Sequence, residues 1–135
     1  MATMTVELRN IAGTEAALGW AGGHTLVVDR PEGKAGGQGL GFDGGQLLAL
    51  TLGGCFANDL RYVAHADGIA LGSIAISVAL ELEGEPIIAK RAAITVKVKT
   101  LDGSDAAALI AKTEALSMAA NSMRRGIEVT VEAVG

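Results

Sequence analysis

The sequence of 135 residues is poor in aromatic side chains, which make up 3% of it, and it contains one cysteine and two prolines. A single cysteine, Cys55, excludes an internal disulfide and a zinc site built from several cysteines. Charged residues are also scarce at 19%, below the roughly 25% of ordinary soluble domains. Because half of the residues are hydrophobic, a disordered chain is excluded as well.

No stretch of the sequence is suited to crossing a membrane or to binding a phosphate backbone. The longest uncharged run, Gly44 to Asn58, has 15 residues, whereas a membrane span needs about 20. The net charge of −4 lacks the basic excess of nucleic-acid-binding proteins. Glu7, Arg9 and Glu15 precede any long apolar segment, so the amino terminus does not resemble a secretory signal. These features predict a cytoplasmic protein.

Small and aliphatic residues dominate instead, with 24 Ala and 19 Gly and a mean hydropathy of +0.39. The length predicts one domain over residues 1–135. In the first half of the chain, the spacing of apolar residues predicts strands over Met4–Arg9 and His24–Asp29, a glycine-rich loop over Gly33–Gly45 and a helix over Gln46–Ala66. In the second half it predicts strands over Ser73–Glu83 and Ile87–Thr100, a helix from Ser104 or Asp105 to about Ala120, and a strand over Ile127–Val134. The two long alternating strands predict a hairpin. Short connections of this kind favour an α+β fold with antiparallel pairing.

Two familiar kinds of binding site are weakly indicated. Gly39, Gly41 and Gly44 match the spacing of a dinucleotide-binding loop, but that loop needs a strand directly before it and a parallel strand after the helix. Here a coil precedes the glycines and an antiparallel hairpin follows, so we interpret them as a flexible loop. His24 and His65 do not have the spacing of a metal site. We therefore predict no cofactor and no metal.

Cys55 is the one residue that could carry covalent chemistry. A buried helical cysteine is by default a small hydrophobic residue. The pair Gly53 and Gly54 leaves open space that suits access to a thiol, and it indicates that something packs closely against this turn. Asp59 follows one helical turn later on the same face, and a nearby carboxylate disfavours a thiolate. A reactive Cys55 would therefore need a cation from elsewhere in the chain, and the candidates are Arg30, Lys34, Arg124 and Arg125.

Two separated segments resemble those of a known family. The segment Gly41–Leu60, GFDGGQLLALTLGGCFANDL, resembles the region around the peroxidatic cysteine of the OsmC/Ohr family. The segment Leu116–Val131, LSMAANSMRRGIEVTV, is similar to the second signature of that family, and the predicted hairpin lies between the two, as in the family. The resemblance covers Trp20 to Val134.

The resemblance implies an intertwined homodimer with active sites at the subunit interface. Each subunit would have a strongly bent antiparallel β-sheet, a long central helix and a second helix. Members of the family reduce organic hydroperoxides in oxidative and osmotic stress defence. A first cysteine attacks the peroxide and becomes a sulfenic acid, a second cysteine resolves it as a disulfide, and an arginine and a glutamate flank the thiolate.

Carried over residue by residue, the resemblance identifies Cys55 as the peroxidatic cysteine. Arg30 is the best match to the flanking arginine, and Lys34 is the second. Ser117 stands where the resolving cysteine belongs, and Gly45, followed by Gln46, stands near the position of the glutamate. Because a serine cannot form a disulfide, the two-cysteine cycle is not available inside this chain.

Three functions therefore remain open at the level of the sequence. The first is a one-cysteine peroxidase in which an external thiol resolves the sulfenic acid of Cys55, as the chemistry of sulfenic acids permits. The second is a non-catalytic protein that binds a small apolar or thiol-reactive ligand at the dimer interface. The third is a structural dimer without chemistry. The expected partners are a second copy of the chain, a small hydroperoxide or apolar ligand and a thiol reductant, with no nucleic acid and no membrane.

Overall fold

A computed structural model describes all residues, 1–135, and divides the chain into two compact units, residues 1–48 and residues 49–135. The elements in chain order are β1 (Glu7–Asn10), β2 (Ala17–Ala21), β3 (His24–Val28), α1 (Gly44–Ala66), β4 (Leu71–Glu83), β5 (Ile88–Thr100), α2 (Ala107–Leu116) and α3 (Met118–Arg125). Helix α1 begins in the first unit and continues into the second. None of the helices is long and apolar enough to cross a membrane.

The first unit contains an antiparallel sheet with the strand order β1-β2-β3. A two-residue turn at Gly22 and Gly23 joins β2 to β3, with Ala21 opposite His24. Gly22 has a positive φ of 58°, which glycine adopts without steric cost and which hairpin turns of this length require. The strand predicted over His24–Asp29 is confirmed, and the strand predicted over Met4–Arg9 is found at β1.

Strand β2 was not predicted from the sequence. Its five residues, Ala17 to Ala21, include two alanines and a glycine, which are depleted in strands. All five are half-buried, so the alternation that marks a half-exposed strand is absent. The pairing nevertheless runs without interruption, from Glu7 opposite Trp20 to Asn10 opposite Ala17.

The glycine-rich segment after β3 is an irregular loop that is tied to one buried carboxylate. Asp29 Oδ2 accepts hydrogen bonds from the backbone N–H groups of Gln38 at 3.0 Å and Leu40 at 3.1 Å. The N–H of Leu40 lowers the pKa of Asp29, as do those of Gln38 and Arg30, against the opposing effect of burial. A Cβ at Gly41 would lie 2.0 Å from the carbonyl oxygen of Val27, so only glycine permits this approach to β3.

Helix α1 begins two residues before the predicted Gln46 because Asp43 caps it. Asp43 Oδ1 accepts the backbone N–H of Gln46 at 2.8 Å, and Gln46 Oε1 accepts the backbone N–H of Asp43 at 3.0 Å. This reciprocal pair is a capping box, which satisfies two otherwise unpaired donors at the start of a helix. The carboxyl-terminal end at Ala66 is as predicted.

The second unit contains the predicted hairpin. Strands β4 and β5 pair antiparallel from Leu71 opposite Thr100 to Glu83 opposite Ile88, with register shifts between Leu71 and Ile74 and between Glu81 and Leu82. The alternation predicted for the hairpin is found in its central part, where Ile74, Ile76, Val78 and Leu80 of β4 and Ile94, Val96 and Val98 of β5 are partly buried and their neighbours are exposed. At the turn end, Leu82 and Ile88 are exposed. A two-stranded sheet is marginally stable alone, so its stability depends on what packs against its apolar face.

The core of this unit lies between α1, the hairpin and α2. Its buried residues are Phe56, Leu60, Val63, Ala64 and Leu109. Apolar residues of both hairpin strands pack against them, including Ile74, Ile76, Ile94, Val96 and Val98. Since burying one such side chain contributes about 1.5–3 kcal/mol, this cluster is the main source of stability for α1 and the hairpin.

Two predictions for the carboxyl-terminal third are wrong. The single helix to about Ala120 is broken at Ser117, whose ψ of 112° leaves the helical region. The Asn121 side-chain amide donates to the carbonyl of Ala115 at 3.1 Å, which compensates a carbonyl that the break leaves free.

The predicted strand over Ile127–Val134 is not formed in the single chain. No strand pairs with these residues, and they are exposed throughout. Alternation shows that a segment can line a sheet, but a strand exists only where a second strand supplies its hydrogen bonds.

Candidate functional site

Cys55 lies in the middle of α1, half-buried, and packs against a small apolar cluster. The buried members of the cluster are Leu52 from α1 and Ala119 and Ala120 from α3, and Val78 and Ile94 of the hairpin also contact it. The cluster brings α3 together with the segment around Cys55, two regions that are about 65 positions apart in the sequence. The cysteine is therefore not isolated on the surface of the helix.

The two glycines before Cys55 have different surroundings. A Cβ at Gly53 would lie 3.0 Å from Cγ2 of Val78, so this glycine allows α1 to approach β4 closely, as the sequence indicated. A Cβ at Gly54 would meet nothing within 4 Å. The open side at Gly54, directly before the cysteine, is consistent with access of a small molecule to the thiol.

The thiol of Cys55 donates a hydrogen bond to Asp59 Oδ2 at a distance of 3.3 Å. The sequence predicted this proximity from the four-residue spacing, and the prediction is confirmed. A carboxylate beside the sulfur supplies no positive charge to stabilise a thiolate. The hydrogen-bond partner of the sulfur is thus an acid rather than the cation that an activated thiol requires.

A pocket of about 220 Å³ lies beside this cluster. It is lined mainly by apolar residues, and Glu114 and Arg124 also contribute: Phe56, Ala92, Ile94, Val96, Ile110, Glu114, Ala120 and Arg124. Ile94 and Ala120 belong both to the pocket and to the cluster that contacts Cys55. Arg124 is held by the Asn121 side-chain oxygen at 3.0 Å and by Glu114 at 3.7 Å. No pattern in the sequence indicates this pocket, because its lining comes from four separate elements.

Arg30, the predicted activating cation, belongs to the first unit. Its guanidinium donates to the carbonyl of Glu15 and, at 3.1 Å, to Asp29 Oδ1. Its Nε is buried without a hydrogen-bond partner, so one donor of this side chain is not used within the chain. The second candidate, Lys34, is exposed. Their roles toward Cys55 stay predictions.

The position of the missing glutamate offers no carboxylate. Gly45 has no side chain, and Gln46 is used in the capping box with Asp43. No group of three or more histidine, cysteine, aspartate or glutamate side chains that could hold a metal ion is found.

Ser117 lies at the break between α2 and α3, fully buried at 0% exposure. Its hydroxyl has no hydrogen-bond partner. A buried hydroxyl without a partner loses its hydration and gains nothing in return, which costs about 1–3 kcal/mol. Ser117 follows α2 directly and is two residues before Ala119, which contacts the same cluster as Cys55.

We expect Ser117→Ala to raise the free energy of unfolding by about 1 kcal/mol, because it removes the unpaired hydroxyl and leaves a cavity of one oxygen atom. Thr113→Val is the matched control. Thr113 is equally buried, but its hydroxyl donates to the carbonyl of Leu109 at 2.8 Å, so its removal is expected to be neutral or destabilising. Urea denaturation of both variants measures the difference. A destabilised Ser117→Ala variant would show that the hydroxyl has a partner in the folded protein.

Comparisons with known proteins agree with this architecture. Residues 36–132 match the family described as OsmC-like protein. A solved OsmC-like protein of unknown function from Vibrio cholerae superposes with a TM-score of 0.75 at 11% identity, covering 90% of this chain and 94% of the other. The organic hydroperoxide resistance protein OhrB of Bacillus subtilis superposes with a TM-score of 0.60 at 21% identity, covering 91% of each chain. An organic hydroperoxide resistance protein from Legionella pneumophila gives 0.64 at 21% identity, covering 92% of this chain and 90% of the other. No curated protein matches the sequence.

Proposed function

Because the chain belongs to the OsmC-like family, we propose that it is a thiol-dependent peroxidase that reduces organic hydroperoxides through Cys55 in oxidative-stress defence. The observation that carries the proposal is the placement of Cys55. It is half-buried within the matched segment, it packs against an apolar cluster, and a pocket lined by both apolar and charged residues shares Ile94 and Ala120 with that cluster. Two solved structures of the same fold are named organic hydroperoxide resistance proteins.

The reaction would proceed in three balanced steps. The sulfur of Cys55 attacks the distal oxygen of the hydroperoxide, which gives a sulfenic acid and releases the alcohol. An external thiol then condenses with the sulfenic acid to form a mixed disulfide and water. A second external thiol displaces Cys55 from that disulfide and regenerates it. Such a cycle fits a reducing compartment such as the cytoplasm.

Arg30 is the proposed cation for this site. This proposal rests on the correspondence between Arg30 and the arginine that flanks the thiolate in the family. A homodimer is also part of the proposal. It is supported by the exposed apolar side chains of the carboxyl-terminal segment, Ile127, Val129, Val131 and Val134.

A second function is favoured by the contact between Cys55 and Asp59. If the carboxylate keeps the thiol in its neutral form, the pocket could bind a small apolar or thiol-reactive ligand without turnover. The two functions differ in one measurable property, which is whether Cys55 is oxidised by peroxide.

We expect cumene hydroperoxide to oxidise Cys55 to a sulfenic acid that dimedone traps. Mass spectrometry locates the adduct, and the Cys55→Ser variant is expected to give none and to lose all consumption of peroxide. Consumption should require an added small thiol. It should be slower with hydrogen peroxide, because the surroundings of Cys55 are apolar.

The absence of a dimedone adduct, under conditions that label a known sulfenic acid, would exclude the peroxidase function. In that case the ligand-binding function takes its place. An equal rate with hydrogen peroxide would instead contradict only the proposed preference for organic hydroperoxides.

A further inference from the structure

Asp59 is in direct contact with the atom that would react with the peroxide. The Sγ atom of Cys55 donates to Asp59 Oδ2 at 3.3 Å. The two residues are four positions apart in α1, so the helix itself holds their side chains on the same face. Both are half-buried, which leaves room for a substrate at the sulfur while the carboxylate stays close.

We propose that Asp59 is a catalytic residue of the peroxide reaction, first as the base that accepts the proton of Cys55 and then as the acid that protonates the leaving alcohol. This inference rests on the proposed function. Asp59 is not among the residues that the resemblance to the family implies; its contact with the Cys55 sulfur identifies it.

The proton is accounted for at every step. As the sulfur attacks the distal oxygen of the hydroperoxide, its proton passes to Asp59 Oδ2, the S–O bond forms and the O–O bond breaks. The two electrons of the new S–O bond come from the sulfur, and the alkoxide leaves with the electron pair of the O–O bond. Asp59 then gives its proton to the alkoxide, which departs as the alcohol. Cys55 is left as the sulfenic acid and Asp59 as a carboxylate.

The energetics explain why a carboxylate can do both. The hydrogen bond between the Cys55 sulfur and Asp59 Oδ2 gives the thiol proton a direct path to the carboxylate as the sulfur attacks the peroxide. An alkoxide is a far stronger base than a carboxylate, so the second transfer is strongly favourable. The position where the family has a glutamate offers no other acid, because Gly45 has no side chain and Gln46 carries an amide.

The test compares three reagents on one variant, Asp59→Asn, which keeps the shape of the side chain and cannot carry a proton. We expect sulfenic acid formation with cumene hydroperoxide to be slower by at least about tenfold, since a positioned acid or base contributes about 10²–10⁴-fold. Alkylation by iodoacetamide should be unchanged or faster, because this slow reagent reacts with sulfur that has already lost its proton to the solvent and its iodide leaving group needs no proton. Peracetic acid should also react at an unchanged or higher rate, because its leaving carboxylate needs no proton from Asp59 and can itself accept the proton of the thiol.

Two further variants separate proton transfer from charge and from folding. Asp59→Glu keeps an ionisable group and should recover part of the rate with cumene hydroperoxide. The double variant Asp59→Asn with Asn58→Asp restores the charge on a neighbouring exposed position and should recover none of it. The reaction with iodoacetamide reports in each variant whether the thiol is accessible and the site folded.

The outcomes distinguish this inference from the function on which it rests. If the unaltered protein forms no sulfenic acid, the peroxidase function fails and the role of Asp59 fails with it. If the unaltered protein reacts but Asp59→Asn is equally fast or faster with cumene hydroperoxide, the inference alone is overturned, and Asp59 only restrains the thiol. Equal slowing with all three reagents would also overturn it, because it would indicate a damaged site.

Discussion

Oxidation of the Ser117→Cys variant is expected to produce a disulfide between Cys55 and residue 117 within one chain. Ser117 is fully buried at the junction of α2 and α3, and its hydroxyl makes no hydrogen bond that a thiol would lose. Ala119 and Ala120 lie in the cluster that contacts Cys55. A disulfide requires Cα atoms about 4.4–6.8 Å apart, and we expect these two residues to fall in that range.

Peroxide treatment of the variant, followed by mass spectrometry of the intact chain, checks this expectation. The oxidised form should be lighter by about two hydrogens and should return to the original mass with a reductant. The disulfide tests the geometry separately from the rate, since the reaction can be left to completion. Cys55 should then no longer need an external thiol to leave the sulfenic acid state.

Ser117→Ala, treated in the same way, is the matched control and should give no disulfide. The double variant Ser117→Cys with Cys55→Ser should give none within the chain either. Two free thiols under excess oxidant, with Cys55 alone converted to higher oxidation states, would mean that residue 117 does not face Cys55. The correspondence between Ser117 and the resolving cysteine of the family would then be wrong.

The elements that could be predicted are those whose local sequence already determines their environment. Partly buried and exposed residues alternate from Ser73 to Glu81 in β4 and from Ile94 to Lys99 in β5, so a shift of one residue in the pairing would expose the apolar face of the hairpin. Helix α1 is 23 residues long and has apolar residues at helical spacing. In both cases one face is buried over many residues, and the periodicity is visible without knowledge of the partner.

The elements that could not be predicted depend on residues far away in the chain. Strand β2 has little strand propensity of its own and is held by pairing on both sides. The break at Ser117 follows no glycine or proline, the usual signals for a helix end, so no local pattern marks it. The segment from Ile127 has the pattern of a strand but no strand to pair with in one chain.

In the candidate site, too, the features with a local sequence signal were predicted and those that depend on distant residues were not. The contact between Cys55 and Asp59 follows from four-residue spacing on one helix and was predicted. The pocket beside Cys55 was not predicted, because Phe56, Ile94, Ile110 and Arg124 come from four elements that only the tertiary fold assembles. The environment of Arg30 was also missed: a buried aspartate directly before it in the sequence engages its guanidinium.

The protein is expected to form a homodimer, and lysine substitutions at Val129 and Val131 are expected to abolish it. In the single chain these side chains are 76% and 96% exposed, and lysine there would change stability by less than about 0.5 kcal/mol. If the segment instead adds as a strand to a sheet of a second copy, its apolar face is buried and each lysine must be desolvated. The double variant Val129→Lys with Val131→Lys should therefore sediment as a monomer at micromolar concentration.

Thr130→Lys is the matched control, because it adds the same charge to the same segment on the opposite side of the alternation. It should remain a dimer, since a residue on the solvent face of an added strand keeps its hydration. An obligate interface of this kind buries more than about 2,000 Å², so the unaltered protein should show no monomer at micromolar concentration in sedimentation velocity. A monomeric unaltered protein would exclude the dimer. Equal behaviour of the two lysine variants would place the interface elsewhere, because only a strand with one buried face discriminates between neighbouring positions.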